Sequence, residues 1–256
     1  MTDTQKVPWK RISIEAAAIV GSILLAFAID AWWQERGEQE DLLQYLSAFE
    51  QELIESRKDI ELALELSTGV LKTTDEVFLV LSDSERNSLP SDFAETIGSI
   101  YKIHSPNLNT GAYEDMVSSG NMRLIGNRTL SDRIKQYMQS VSSVRSVNEV
   151  LWDTYYNLQV PYLKDHFVIS DFGWESAEEI DDAAGLLSIT PKGPYSIDLD
   201  AVKSQEYWNL LYSWKEAYSD QVRRLVVARE DCDAVLESLQ PEVESLSHGN
   251  RSDQDS

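Results

Sequence analysis

The run Ile12-Ser-Ile-Glu-Ala-Ala-Ala-Ile-Val-Gly-Ser-Ile-Leu-Leu-Ala-Phe-Ala-Ile-Asp-Ala-Trp-Trp33 decides how this chain is built. As a helix it rises roughly 33 Å, enough to cross a hydrocarbon layer of about 30 Å. Glu15 and Asp30 shorten the clean apolar stretch to Ala16–Ile29, about 21 Å by the same rise. Both acids lie near its ends, where side chains reach the headgroups or thin the bilayer locally. Trp32 and Trp33 read as an aromatic belt at one interface, and Lys10 and Arg11 (with Lys6) as a basic flank at the other. The positive-inside rule then predicts a cytoplasmic N-terminal tail over 1–11, a transmembrane helix over 12–33 and the bulk of the chain outside the cytoplasm. Val77–Leu81 and Leu225–Ala228 are too short to be a second span.

A signal peptide is the competing reading, because Ala26-Phe27-Ala28 has the small-x-small form of a cleavage site. Glu15 at the edge of the apolar run and the helical, belt-like continuation Asp30–Glu35 favour an anchor. A buried helix of a soluble protein would not need the basic and aromatic asymmetry. Within the span, Ala18, Ser22, Ala26 and Asp30 fall on one face at i, i+4 spacing. Such a row lets a second helix approach closely, with Asp30 finding a polar neighbour there.

The chain has 256 residues, 22 basic against 44 acidic, for a formal net charge of −22. Residues 1–33 are neutral overall, so the whole excess lies in 34–256. That surface repels phosphate backbones and excludes nucleic acid as a natural partner. The single cysteine, Cys232, excludes an internal disulfide or a thiolate zinc site. With 11 Gly and 7 Pro, a sandwich, a barrel or a Gly-rich nucleotide fold is disfavoured.

Beyond Trp33 the apolar period is helical. Leu42, Leu46, Phe49, Leu53, Ile60, Val70, Val77 and Leu81 follow 3-4 spacing, with Ser56, Ala63, Ser67 and Thr74 filling a coiled-coil-like seam. One long helix is expected, continuous with the span unless it bends at Gly69 or Thr73-Thr74. A turn at Asn87–Ser91 leads to a short helix ending near Ile103, capped by Ser91 or Asp92. A second short helix covers Gly111–Ser118 and closes on a left-handed Gly120, after which Leu124-Ile125 should plug into the core. Asn127 then starts a helix running to about Gln159 and stopping before Pro161, with Leu130, Ile134, Met138, Val141, Val144, Val147 and Leu151 inward. Residues 161–200 read as irregular, punctuated by Gly173, Gly185, Pro191 and Gly193 around acidic Glu175–Asp182. A last helix is expected over about Ala201–Leu239, with Tyr207, Leu211, Trp214, Tyr218, Val222, Leu225, Cys232, Val235 and Leu239 inward. Residues 34–240 thus form an all-α, elongated antiparallel helical bundle, and 241–256 a disordered acidic tail.

Two stretches, Leu24–Arg36 and Thr110–Asn127 (the latter containing Tyr113-Glu-Asp-Met-Val-Ser-Ser-Gly120-Asn-Met-Arg-Leu-Ile125-Gly-Asn127), followed by Leu130 and Tyr137, carry a resemblance. They resemble a group of uncharacterised bacterial single-pass membrane proteins with an N-terminal anchor and a Tyr-Glu-x-x-x-Ser-Gly-x-x-x-Leu-Ile-x-Asn segment. Asp30 stands where that group usually carries Asn, and Met138 where it carries a second aromatic. The resemblance implies a membrane-anchored helical protein and supplies no activity. Read physically, the second motif is a chain reversal. Its functional alternative is a binding surface around Tyr113, Glu114 and Asn121.

No phosphate loop, G-x-G-x-x-G, G-x-S-x-G or H-E-x-x-H occurs. His104, His166 and His248 lack partners at ligand spacing, and His166 beside Asp165 is the one constellation. Asp198-Leu-Asp200 and Asp231-Cys-Asp233 lack the Gly and terminal Glu of a calcium loop, reading as a helix cap and an exposed turn. No catalytic, cofactor-binding or metal-ligating residue is expected. The sequence favours a non-enzymatic, membrane-anchored scaffold or interaction protein in the inner membrane. Its partners would be the bilayer and either a second copy or another membrane protein, paired through the anchor helix and the Leu/Phe seam of 42–81. A ligand-binding, sensor-like bundle using Trp152, Tyr155, Tyr156 and Tyr162 is the alternative.

Overall fold

The spacing of apolar residues beyond Trp33 is realised as one uninterrupted helix, α1 (Trp9–Ser82), of 74 residues. The computed structural model describes residues 9–83, 85, 87–172 and 196–252. The rest of the fold is α2 (Phe93–Ile100), α3 (Gly111–Ser118), α4 (Arg128–Thr154), α5 (Val160–His166), α6 (Leu199–Val202) and α7 (Gln205–Ser252). There is no strand among the described residues. The expected all-α bundle with a long N-terminal helix is what forms.

α7 packs antiparallel against both α1 and α4, and cross-links along its length fix the register. Towards α1 these are Cys232 Sγ to the Leu53 carbonyl (3.5 Å), Arg57 to Asp233 (2.5 Å) and Ser67 to Gln221 (2.8 Å), and just beyond the two helix ends Lys203 donates to the Asp83 carbonyl (3.1 Å). Towards α4, Arg133 donates to the Ala234 carbonyl (2.8 Å) and Gln159 to the Leu210 carbonyl (2.9 Å). α2 and α3 lie against α1, joined by an extended segment, 102–110, that Arg145 clamps through the Leu108 carbonyl (2.9 Å) and Thr110 Oγ1 (3.2 Å).

Two apolar clusters fill the bundle. The lower one joins Leu42–Ala63 of α1 to Met116, Ile125, Leu130–Val144 and Leu225–Leu239. The distal one is aromatic: Phe93, Tyr101, Tyr162, Phe167, Phe172, Tyr207, Trp214 and Tyr218 around Val70, Val77 and Leu81. All the seam positions read from the sequence between Leu42 and Leu81 are buried. They are used inside the chain, against α7 and the short elements, which corrects the expectation that this seam pairs with other molecules.

Other differences have local causes. α1 does not stop at Gly69 or Thr73-Thr74; Thr74 instead returns its hydroxyl to the Val70 carbonyl (2.7 Å) and is buried. α2 stops at Ile100, and Asp92 is its N-cap by position without a side-chain bond. Pro161 does not end its helix. The backbone widens into a π-turn, Tyr155–Gln159, in which the Val160 amide bonds the Tyr155 carbonyl, and α5 carries on to His166. A wide turn frees the carbonyls that a proline cannot serve and relieves its ring clash. On α4 Tyr137, not Met138, is fully buried, and on α7 Gln221 replaces Val222. The last helix is split, with Ser204 Oγ accepting the Tyr207 amide (3.0 Å) at the restart, and it passes Pro241 to Ser252 where a tail from 241 was expected. Asp231 and Asp233 lie mid-helix, not in a turn. The acidic stretch Glu175–Asp182, the Gly173–Gly193 punctuation and residues 253–256 lie outside the described residues.

Candidate functional site

Over Ala17–Asp41 no residue of α1 is buried: its first buried residue is Leu42. This stretch comprises the apolar span and a short charged stalk. Ala18, Ser22, Ala26 and Asp30 lie exposed along one face, where Ser22 Oγ donates to the Ala18 carbonyl at 2.8 Å. That bond leaves the row smooth, with no hydroxyl projecting towards an approaching helix. Trp32 and Trp33 meet edge to face at 5.3 Å, and the Arg36 guanidinium sits 5.7 Å from the Trp32 ring centre. On the stalk, Arg36 pairs with Glu40 (3.3 Å) and Gln34 bonds Glu38 (3.3 Å). The side chains of Lys10 and Arg11 lie outside the described residues.

The second candidate surface, Tyr113, Glu114 and Asn121, lies on α3 and at the chain reversal between α3 and α4. Tyr113 is half-buried against the lower cluster, and Glu114 accepts the Thr110 hydroxyl at 2.8 Å. Gly120 adopts φ +76°, the left-handed conformation that the reversal requires, and Asn121 opens the 3-10 turn Asn121–Leu124. Ile125 is buried and Leu124 packs beside it; Asn127 caps α4 by accepting the Leu130 amide at 3.2 Å. Arg123 reaches back to Glu38 on the stalk (3.2 Å). The nearest cleft, about 450 Å³, is lined by Asp41, Tyr45, Glu52, Gly111 and Asp115, among others, but by none of Tyr113, Glu114 and Asn121. Glu52 there takes the Ala112 amide (2.9 Å) and so anchors the start of α3.

Of the titratable groups, His166 places Nδ1 3.8 Å from Asp198, which also caps α6, and its ring lies tilted by 45° against that of Tyr162 with centres 4.4 Å apart. Asp165 is not its partner. Burial pushes the Cys232 thiol up to about 12, helped by Asp233 and opposed by Arg57. Burial also lowers His104, with Lys102 adding to the effect, and raises Tyr101, Tyr137, Tyr207 and Tyr218. These shifts belong to a packed interior rather than a reactive cleft. No group of three His, Cys, Asp or Glu able to hold a metal occurs among the described residues.

Sequence reasoning missed a buried polar layer between the two clusters. Gln221 accepts from Ser67 and donates to the His104 carbonyl and to Asn148 Oδ1, each at 2.8 Å. Stepping 214, 218, 221, 225 keeps a strict four-three-four rhythm and points to Gln221. Polarity drew the reading to its apolar neighbour Val222.

Among the described residues, one helix is long and apolar enough to cross a membrane. Compared with protein-family models, curated proteins and solved structures, the chain matches none.

Proposed function

We propose that this chain is a single-pass membrane protein whose helical domain acts as a scaffold or interaction module and performs no catalysis. The observation that carries the reading is the division of α1. Its seam from Leu42 to Leu81 is filled within the chain, whereas every residue from Ala17 to Trp33 is exposed. Ile19, Val20, Ile23, Leu24, Leu25 and Phe27 stand 50–66% exposed, a continuous apolar surface that a bilayer would cover. The row Ala18/Ser22/Ala26, ending at Asp30, is the face on which a second copy or another membrane protein would pack. The basic flank orients the N-terminus to the cytoplasm and the acidic domain to the outside of a bacterial inner membrane. The family resemblance carried by Leu24–Arg36 and Thr110–Asn127 agrees with this layout.

The test is native mass spectrometry of the full chain extracted from membranes in mild detergent, beside Ala26→Ile. A stoichiometric oligomer or defined companion, lost in the variant, is expected. A monomer indifferent to the substitution overturns the scaffold reading, and a soluble chain trimmed after Ala28 overturns the anchor.

A further inference from the structure

The π-turn forced by Pro161 sets two consecutive tyrosines beside a tryptophan at the distal end of the bundle. Trp152 and Tyr156 lie nearly parallel, 16° apart with ring centres at 5.6 Å. Tyr155 abuts both edge-on, at 6.2 Å and 5.1 Å, and its far side leans on Trp214 of the core. Trp152 and Tyr156 are 41% and 59% exposed, although such rings contribute most when buried. Together with Tyr101 and Lys102 these rings line a shallow, open surface cleft of about 320 Å³.

The geometry selects the shape of the ligand. Because Trp152 and Tyr156 already touch, no slot remains between them for a flat aromatic ring to enter. What is open is an outer aromatic surface. It suits a ring with one C–H face to lay on the aromatics and polar edges left in water, which describes a pyranose. Lys102 selects the charge. It forms no ion pair among the described residues although the chain has twice as many acids as bases. Asp153, the adjacent acid in sequence, is held by Asn157 at 2.6 Å. We propose that Trp152, Tyr155, Tyr156 and Lys102 form a binding platform for a sugar ring bearing a carboxylate.

The test uses the full chain labelled with 5-fluorotryptophan in phosphatidylcholine nanodiscs, free of sugar detergents, with the Trp152 resonance assigned by its loss in Trp152→Phe. The probes are trigalacturonic acid and the neutral maltotriose. Trigalacturonic acid should move the Trp152 resonance saturably and leave that of Trp9 in place. Lys102→Gln, an exposed substitution, should weaken that binding about fivefold, the upper end for an exposed charge pair. Maltotriose should bind correspondingly less well. A stationary Trp152 resonance, or equal movement of all tryptophan resonances, overturns the platform. Equal affinity for the two sugars, or indifference to Lys102→Gln, overturns the acidic specificity. The proposal stands apart from the anchor's oligomeric state, so the two can fail separately.

Discussion

The Ser67 hydroxyl donates to the side-chain oxygen of Gln221 at 2.8 Å, at the level where the lower apolar cluster gives way to the distal aromatic one. With the two bonds Gln221 gives to the His104 carbonyl and Asn148, this ties α1, α4, α7 and the extended segment together at one height. An apolar seam alone tolerates sliding by a turn; a satisfied polar layer does not.

Gln221→Ala should therefore cost about 1–3 kcal/mol, because it strands buried groups in addition to losing packing. Ser67→Ala, which removes one donor and leaves Gln221 its other bonds, should cost about 1 kcal/mol. Urea unfolding of the full chain in detergent, followed by far-UV circular dichroism, checks the order of the two.

Two glycines should respond in opposite directions to alanine. At Gly98 a Cβ would meet the Phe172 carbonyl oxygen at 2.1 Å, so α2 and the turn Ile169–Phe172 must separate. A loss of about 2 kcal/mol or more is expected. At Gly69, within α1, a Cβ meets nothing within 4 Å, and Gly69→Ala should stabilise by about 0.5–1 kcal/mol. Thermal melts of the two variants decide it.

Cys232 is fully buried with its thiol raised to about 12, so at neutral pH it should be inert to a thiol reagent such as DTNB and release one equivalent only on denaturation. A dimer that dissociates on reduction under native conditions would contradict this.

His104 sits below its ordinary 6.5 because it is partly buried and beside Lys102. The unfolded chain therefore binds its proton first, and stability is retained above 6.5 and declines as pH falls through that value towards the lower native one. His104→Gln should shrink the difference between melting temperatures at pH 7.5 and pH 5.5, as measured by calorimetry.

The architecture was legible where one periodicity and one set of breakers sufficed. The seam of α1, the Gly111–Ser118 helix, the Gly120 reversal and the Asn127 cap all follow from local chemistry. Errors arose where a partner decides the outcome. Whether position 137 or 138, 221 or 222, faces inward is a rotation fixed by the opposing helix: Gln221 prevailed because its amide finds Ser67, Asn148 and the His104 carbonyl, and Tyr137 because its ring fills the lower apolar cluster. Pro161 and Pro241 read as stops, since a proline ordinarily costs a helix interior about 3 kcal/mol. At Pro161 tertiary packing of the flanking segments against α7 outweighs that cost through the π-turn. Tyr113, Glu114 and Asn121 lie on α3 and at the reversal after it, where Glu114 accepts the Thr110 hydroxyl and Asn121 opens the 3-10 turn.

Because α1 runs without a break from the apolar span to Ser82, a chain anchored as proposed would carry its domain on a boom continuous with the anchor. From Trp33 to Ser82 it extends about 74 Å, so an anchor tilt of about 20° would sweep its tip sideways by about 25 Å. In the proposed anchored state, bilayer thickness would, through tilt, set how far from its foot the protein can reach.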